Sequence, residues 1–483
     1  MDTIQDRRWL ALAVIVAAQF MVILDVAIVN VALPSIKTDL HFSQERLQWV
    51  VTAYSILFGG FLMLGGRLAD LLGRRRLFMV GIVIFATASL LSGLAWSAGS
   101  LIAFRALQGL GGAILSPAAL SILTTTFQEG RDRNIALGVW GAASGSGGAA
   151  GVLLGGALTS AFNWTWIFFV NVPAAAVVLA FTPWLLRESR AALGHRTFDF
   201  AGATSITAGL MLLVYAMTRA TQHGWGSGST IGLLGASVAL LAAFVVIELR
   251  SKAPVLPIRI FRQRTLSGAN LAGFLLGTAV FSQFFLLTLY MQDVLHYSAI
   301  KTGVAYIALT VTIVAFSGVA QSLVTRIGAR RVLPFGMTLA AVSLFLFARM
   351  PVHGHYFWDI FPAFLIAGLG LAFAFVPATI AALSGVSEAD AGVASGLINT
   401  SQQIGGAVGL AAAATIATTY TNHYLGIHPG AIAAGLTHGY SIAFYVLAAI
   451  ALAGGLAAAT VIESQPRTVE IGAVEEDVIL DAA

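Results

Sequence analysis

The sequence predicts an all-α integral membrane protein with fourteen transmembrane helices. Of its 483 residues, 58% are hydrophobic and only 10% are charged, whereas a soluble domain is about 25% charged. Fourteen apolar segments follow one another along the chain, and each can cross a bilayer as a helix, which takes about 20 residues. Strands of a membrane barrel would show alternating patterns of about ten residues, and the sequence has none.

The predicted spans, numbered 1 to 14, leave no room between them for a large soluble domain. In chain order they cover residues 9–33, 47–66, 76–96, 99–123, 135–159, 163–186, 198–219, 229–249, 266–291, 302–324, 331–350, 357–382, 390–418 and 437–460. The chain contains no cysteine, which excludes disulfides and thiolate metal sites.

Basic residues predict the orientation of the spans. If the N-terminus lies in the cytoplasm, the cytoplasmic loops hold 20 of the 26 Lys and Arg residues and the outer loops hold five. Lys and Arg concentrate in the cytoplasmic loops of membrane proteins, so this bias supports an even number of spans. We predict a multi-pass protein of the cell (cytoplasmic) membrane with both termini in the cytoplasm, and its positive net charge follows from this topology rather than from nucleic-acid binding.

Two loops resemble each other at an offset of 255 residues. Residues 68–76 follow span 2, residues 323–331 follow span 10, and Gly73 matches Gly328. Chance similarity between two short basic loops is the alternative, but parallel repeats are typical of transporters. The predicted domains are an N-terminal six-helix half at 1–190, two inserted helices with cytoplasmic linkers at 191–262, a C-terminal six-helix half at 263–462 and a disordered cytoplasmic tail at 463–483.

Asp25 and Arg105 are the two clear charges in mid-membrane. Asp25 has no charged neighbour in sequence between Arg8 and Lys37, and a carboxylate at a helix centre costs about 2.5–3.5 kcal/mol. At 1.5 Å per residue, Arg105 lies roughly 9 Å and Asp25 roughly 13 Å from the outer side. These depths predict an interaction, direct or through Gln108 or water, and a static salt bridge between spans 1 and 4 is the alternative to a functional pair.

The loop between spans 2 and 3 combines glycine, aspartate and arginine. Gly73 allows a sharp turn. Asp70 lies among four arginines, which include Arg74 and Arg75, and it can bond arginine side chains or face a helix N-terminus, where negative charge is favoured. An ion cluster between moving bundles can hold one conformation and release another. Together with Gly66, these residues form a predicted conformational motif, and a plain cytoplasmic anchor is the alternative.

Span 5 is rich in glycine. Gly151 and Gly155 are four residues apart, and Gly156 follows directly. Small residues at this spacing let helices approach closely. We therefore add these three glycines to the conformational motif, with ordinary close packing as the alternative.

Four stretches resemble the major facilitator superfamily. Residues Gly66–Arg76 resemble its signature loop, from which they depart mainly by Leu71, and Leu101–Ala113 resembles its fourth-helix motif. Leu24–Pro34 is similar to the first-helix motif of the fourteen-helix drug:proton antiporters, and Tyr290–Leu295 is similar to their ninth helix. The resemblance covers essentially the whole chain and implies the major facilitator fold, with two six-helix halves plus two inserted central helices.

The fifth helix departs from the family pattern. The family has a Gly-Pro pair before its closing Gly-Gly, and this chain has Gly151-Val152 at that place. The resemblance therefore leaves open whether the bend specific to antiporters is present, and neighbouring glycines can supply part of it.

The resemblance implies export of amphipathic, cationic or hydrophobic drug-like compounds in exchange for protons by alternating access. An apolar setting favours a neutral carboxyl and a nearby cation favours its ionised form, so we predict proton coupling at Asp25 and Arg105. Substrate binding is predicted at Asp25, Asn30, Tyr54, Gln108, Phe281, Gln283, Tyr290 and Asn399, with helix-interface hydrogen bonding as the alternative for the polar members. The expected partners are the lipid bilayer, a small-molecule substrate and protons. We expect a monomer that uses the proton gradient, with no cofactor, catalytic residue or metal.

Four other functions are alternatives to proton-coupled drug export. An exporter or importer of a specific metabolite or natural-product antibiotic would have the same fold, which does not set the transport direction. An ATP-driven pump needs a glycine-lysine phosphate loop, and none of the three lysines follows a glycine. A membrane enzyme would need a His and carboxylate cluster, which the spans lack. A sensor that does not transport is a further alternative, which a transport assay would distinguish.

Overall fold

The protein is described here from a computed structural model that covers residues 2–42, 44–47, 49–190, 199–251, 254–387 and 390–463. Within these ranges all regular structure is helical, without a strand. The predicted linker residues 191–198 and the predicted tail beyond Glu463 lie outside the described residues.

Fourteen apolar spans are present in the described residues when the bent fifth span is counted as one. Spans 1 to 8 are Asp2–Asp39, Trp49–Leu72, Arg74–Gly93, Ala98–Thr126, Arg131–Ala161, Trp166–Phe169 with Asn171–Leu185, Phe200–His223 and Gly228–Arg250. Spans 9 to 14 are Arg264–Leu289 with the π-helix Tyr290–Val294, Ala299–Ala305 with Ile307–Ile327, Ala329–Phe347, the π-helix Tyr356–Ile360 with Phe361–Leu383, Ala391–Ile427, and Ile432–Val461. A short helix at Gln44–Leu47 precedes span 2, and the 3-10 helix Ile258–Arg262 precedes span 9. The predicted all-α fold with fourteen spans is confirmed.

Several helices extend beyond the predicted apolar segments. Span 13 has 37 residues, which at 1.5 Å per residue is about 55 Å, well beyond the roughly 30 Å hydrocarbon core. Its last turns carry Thr418, Thr419 and Asn422. The predicted apolar segment ends where these polar residues begin. The helix continues beyond them because its backbone hydrogen bonds do not depend on side-chain polarity.

The helices pack within the two predicted groups of six and meet along two seams. Spans 2 and 4 contact span 13 along one seam, and span 5 contacts spans 10 and 12 along the other. Gly66 in span 2 abuts the carbonyl of Gly392, and Gly141 in span 5 abuts Val376. Small residues at these points let the backbones approach closely, although the predicted domain boundaries stay predictions.

Inserted span 7 packs against both span 2 and span 13. Met211 lies against Gly60, and the rings of Tyr215 and Trp49 are 5.7 Å apart. The indole Nε1 of Trp225, in the loop after span 7, donates to Thr415 Oγ1 of span 13 at 2.8 Å. Span 7 therefore bridges the two halves, whereas span 8 packs on span 7 and leaves most of its surface exposed.

Span 5 bends by 42° between Arg131–Gly148 and Ala150–Ala161. Sharp kinks occur at proline, at Gly and Ser pairs or at π-bulges. Here the bend follows the sequence Gly145-Ser146-Gly147-Gly148 and has no proline. The local glycines thus account for a bend in a helix that lacks the family's Gly-Pro pair.

Candidate functional site

The carboxylate of Asp25 and the guanidinium of Arg105 form a buried ion pair between spans 1 and 4. Arg105 Nη1 donates to Asp25 Oδ2 at 2.6 Å, and the two side chains are 0% and 1% exposed. Ion pairs this deeply buried require excellent geometry and further hydrogen bonds to offset the loss of hydration. The neighbouring side chains supply these bonds.

Gln108 closes a hydrogen-bonded ring with the ion pair. Its Oε1 accepts from Arg105 Nη1 at 2.8 Å, and its Nε2 donates to Asp25 Oδ1 at 2.8 Å. Gln108 lies three residues after Arg105, so both side chains leave the same face of span 4. Arg105 Nε also donates to the carbonyl of Val50 in span 2 at 3.2 Å, which brings a third helix to the site.

Two aromatic rings lie near the guanidinium. The Tyr54 ring centroid is 4.4 Å from Arg105 Cζ, and the Phe168 centroid is 5.6 Å away. Cation–π contacts of this kind stabilise a desolvated guanidinium by about 2 kcal/mol. The Tyr54 hydroxyl is buried without a hydrogen-bond partner among the described residues, so it can still bond to a bound molecule.

Asn171 completes the site, and the sequence analysis missed it. Its Nδ2 donates to Asp25 Oδ1 at 2.9 Å and to Ser89 Oγ at 3.1 Å. The signal was present but weak, because Asn171 is a single amide near the start of apolar span 6. Neutral polar residues are common in membrane helices, so sequence alone does not separate this one from the others.

A second polar group joins the two halves. Ser116 Oγ in span 4 donates to Gln19 Oε1 in span 1 at 2.8 Å and lies 3.5 Å from Asn399 Oδ1 in span 13. Asn399 was a predicted substrate residue, and the structure places it at the seam between spans 4 and 13. Its Nδ2 is occupied by the carbonyl of Ser395 at 2.8 Å.

The remaining predicted substrate residues lie apart from the ion pair. Asn30 is exposed and donates to Val26 within span 1 at 3.1 Å. Phe281 packs against Gly406 of span 13, and Gln283 is buried with its Nε2 unpartnered among the described residues. Tyr290 donates to the carbonyl of Pro351 at 2.6 Å, within the second half. Of the predicted set, only Tyr54 and Gln108 surround Asp25.

The predicted conformational motif forms a contact between the halves. Arg74 donates to Asp70 Oδ1 through Nε at 3.1 Å and Nη2 at 2.8 Å. The same oxygen accepts from the backbone N–H of Gly392 at 3.3 Å, one residue into span 13. Asp70 therefore bonds an arginine and faces a helix N-terminus, where its charge is favoured.

Gly73 and Arg75 lie beside Glu188 after span 6. Gly73 has a φ of 115°, which a residue with a side chain rarely adopts, and Glu188 approaches the position of its missing Cβ. The backbone N–H of Arg75 donates to Glu188 Oε1 at 3.1 Å, and Arg75 Nη1 donates to the carbonyl of Leu186 at 3.3 Å. The loop is thereby tied to the end of the first half.

A second set of contacts between the halves surrounds the start of span 5. Glu129 Oε1 accepts from the backbone N–H of Gly385 at 3.0 Å, and Arg133 Nη2 donates to the carbonyl of Leu383 at 3.0 Å. Asn134 Nδ2 donates to Thr325 Oγ1 at 3.0 Å. Together with Asp70, these side chains link the two halves on the predicted cytoplasmic side.

Glycines of span 5 contact span 1 at the residues that flank Asp25. An added Cβ at Gly151 would lie 2.7 Å from the carbonyl oxygen of Leu24, and one at Gly155 would lie 2.8 Å from that of Ile28. Gly156 is also buried. Span 1, which carries Asp25, is therefore in backbone contact with span 5. No group of three metal-ligating side chains occurs in the part of the chain described here.

A polytopic helical fold with two helix groups, a buried ion pair and contacts that link the groups at one side is typical of membrane transporters. Residues 15–410 match the model of the Major Facilitator Superfamily, and the chain belongs to this family. It is 40% identical over 465 residues to the puromycin resistance protein pur8 of Streptomyces alboniger, covering 95% of this chain and 92% of that protein. It is 38% identical over 416 residues to the cephamycin export protein CmcT of Amycolatopsis lactamdurans, covering 85% of each.

The fold is also that of the human organic anion transporter MFSD10 (TETRAN). The two structures align with a TM-score of 0.65 over 93% of this chain and 99% of that one, at 16% sequence identity. The predicted family and fold are therefore confirmed. The protein is a multi-pass membrane transporter and not an enzyme.

Proposed function

We propose that the protein exports amphipathic, cationic or hydrophobic drug-like compounds from the cell in exchange for protons. The observation that carries this proposal is the Asp25–Arg105 pair, at 0% and 1% exposure. A buried carboxylate with a cation, two amides and an aromatic hydroxyl nearby can bind either a proton or a cationic group. Competition between the two for one carboxylate couples their movements.

The driving force is sufficient for this exchange. One charge crossing the membrane gains about 2.3 kcal/mol per 100 mV, and a tenfold proton gradient adds about 1.4 kcal/mol. One proton exchanged for a neutral compound therefore supports a concentration ratio of roughly several hundred. No resident cofactor is needed for this energy.

The contacts between the halves support alternating access with the cytoplasmic side closed. Four bonds from Asp70, Glu129, Arg133 and Asn134 join the halves at this side. In such a state Asp25 would exchange its proton with the outside. Breaking these bonds would open the opposite route and let the carboxylate release its proton to the cytoplasm.

Export of natural-product antibiotics is the second candidate. It is favoured by the similarity to a puromycin resistance protein and a cephamycin export protein over most of the chain. Puromycin carries an amine that Asp25 would attract, whereas a cephamycin is anionic. A panel with both compounds therefore tests whether Asp25 binds the substrate or only the proton.

Inverted membrane vesicles test the proposal. A proton gradient is imposed, compounds including puromycin, a cephamycin and quaternary ammonium dyes are added, and a fluorescent pH probe follows the gradient. We expect at least one compound to dissipate the gradient with the native chain and none to do so with Asp25→Asn. Asp39→Asn is the matched control, because Asp39 lies at the end of the same helix and accepts from Trp164 at 2.7 Å.

Two results would contradict the proposal. Vesicles with the native chain that neither accumulate any compound nor lose the gradient would remove the exporter function. Asp25→Asn vesicles that export a compound at the native rate and still consume the gradient would remove Asp25 as the coupling site.

A further inference from the structure

We infer that Asn171 is a positioning residue that stabilises the ionised form of Asp25 and so sets the pH at which this carboxylate takes up its proton. The inference rests on the proposed proton role of Asp25. Asn171 lies on span 6, whereas Arg105 and Gln108 both lie on span 4. It therefore adds a separate helix to the control of the carboxylate.

The direction of each hydrogen bond around Asn171 follows from the donors and acceptors present. Ser89 Oγ lies 2.9 Å from the carbonyl of Phe168, which can only accept, so the serine hydrogen points there. Ser89 must then accept from Asn171 Nδ2, which lies 3.1 Å away. The second hydrogen on Nδ2 points to Asp25 Oδ1 at 2.9 Å.

This chain of bonds favours one charge state of Asp25. Ionised Asp25 accepts from Asn171, Gln108 and Arg105, which suits a group that is an acceptor only. If Asp25 took a proton on Oδ1, the new hydrogen would point at an amide hydrogen that Ser89 holds in place. Because the donor bonds to the charged form, it opposes proton uptake.

The hydrogen bond from Asn171 to Asp25 is shielded from water by burial. Asp25 and Ser89 are 0% exposed and Asn171 is 1% exposed, so water does not replace a lost donor. A hydrogen bond to a charged group contributes more than one between neutral groups. The amide also lies near the start of span 6, one residue after the break at Val170 that separates Trp166–Phe169 from Asn171–Leu185.

Few other titratable or charged groups lie close enough to Asp25 to change its charge state. Spans 2, 4, 5 and 6 pack against span 1, and the titratable or charged side chains that they direct toward Asp25 are Arg105 and Tyr54. The span 6 segments contain no titratable side chain. The charged side chains of span 5 lie in its first turn, away from Asp25, where Asp132 is 3.7 Å from Arg8. A change at Asn171 therefore acts on Asp25 directly.

Infrared titration of the purified full-length transporter tests the inference without substrate or gradient. The carbonyl band of the protonated carboxyl is followed against pH and assigned to Asp25 by its loss in Asp25→Asn. We expect Asn171→Leu to move the midpoint to higher pH by about one to two units, since a bond to a charged group is removed. Ser89→Ala should shift it in the same direction by less, because the amide keeps its bond to Asp25 but loses its anchor.

The matched control is Thr182→Val, a buried polar-to-apolar change in the same helix. Among the described residues, the Thr182 hydroxyl bonds to the carbonyl of Val178 in span 6, at 2.7 Å. This substitution should leave the midpoint unchanged. Should Asn171→Leu fail to fold, Asn171→Ser and Ser89→Ala carry the test with smaller shifts in the same direction. Unchanged midpoints in the folded variants, or an equal shift in Thr182→Val, would overturn the inference. Vesicle transport is measured separately, so this result can fail while the proposed exchange holds, or hold while the exchange fails.

Discussion

Arg105 contacts neighbours in the plane of its guanidinium and lies near two aromatic rings. Its Nη1 donates to Asp25 and Gln108, its Nε donates to the carbonyl of Val50, and the Tyr54 ring lies nearby. Sequence reasoning could predict the Asp25–Arg105 pair, because unpaired charges in apolar helices are costly. It could not predict Asn171 or Ser89, since an isolated neutral residue in an apolar helix carries no such requirement.

Loss of Arg105 should destabilise the protein strongly. Arg105→Ala leaves the Asp25 carboxylate buried without its cation, and removing one partner of a buried pair costs about 3–5 kcal/mol. We expect a clearly lower apparent melting temperature of the detergent-solubilised protein. The double variant Arg105→Gln with Asp25→Asn should melt at higher temperature than Arg105→Ala, because no buried charge then lacks a partner. If the two variants had the same apparent melting temperature, the unpaired charge of Asp25 would not be the cause of the destabilisation.

Arg105→Lys should not restore native behaviour. A lysine ammonium is a compact charge, whereas arginine presents a planar fork of donors, and here that fork meets Asp25, Gln108 and the Val50 carbonyl. We expect Arg105→Lys to retain near-native expression and lose most of its proton-coupled transport in inverted vesicles. Native transport rates in this variant would show that charge alone is sufficient.

At the scale of the helices, the contacts that join neighbouring helices lie at helix ends and at glycines. Asp70 bonds the first turn of span 13 through Gly392, and Thr325, which occupies the matching place 255 residues later, bonds Asn134 in the first turn of span 5. The paired glycines and arginines of the two loops predict this repeat. They do not predict the partner helices, because nothing local in a sequence reports which distant helix start lies opposite a loop.

Asp70→Asn should weaken the closure of the predicted cytoplasmic side. A negative charge at a helix N-terminus contributes about 0.3–2 kcal/mol, so we expect the closed population to fall by roughly two- to thirtyfold relative to the open one. Spin labels on the cytoplasmic ends of spans 2 and 13 would report this as a longer distance. Glu188→Gln is the control, because in the described part of the chain Glu188 bonds within the first half. This substitution should leave the distance distribution unchanged.

Gly151→Val should separate spans 1 and 5. Its branched side chain would collide with the Leu24 carbonyl and Ala27, so we expect reduced thermal stability and loss of transport. Gly318→Val is the matched control, since an added Cβ at Gly318 meets nothing within 4 Å. Equal effects of the two substitutions would mean that helix propensity, rather than packing on span 1, limits the protein.

At the scale of the whole molecule, hydropathy and charge bias predicted the number of spans and the fold class. They did not predict where spans 7 and 8 lie, because both are apolar on most faces and lipid and protein are nearly equivalent surroundings for such helices. Their positions depend on specific contacts such as Met211 with Gly60 and Trp225 with Thr415.

The predicted orientation can be measured directly, since the chain has no cysteine. Gln128 and Gly226 are exposed in loops on opposite sides of the predicted membrane. In intact cells, a membrane-impermeant maleimide should label Gly226→Cys and leave Gln128→Cys unlabelled until the membrane is permeabilised. The reverse pattern would invert the topology.

Span 7 also gives the molecule two unlike flanks toward the lipid. On one flank it covers the seam between spans 2 and 13, and on the other flank spans 5 and 10 meet without an inserted helix. The two seams therefore present unequal surfaces to the lipid, because one is shielded by an extra helix and the other is not.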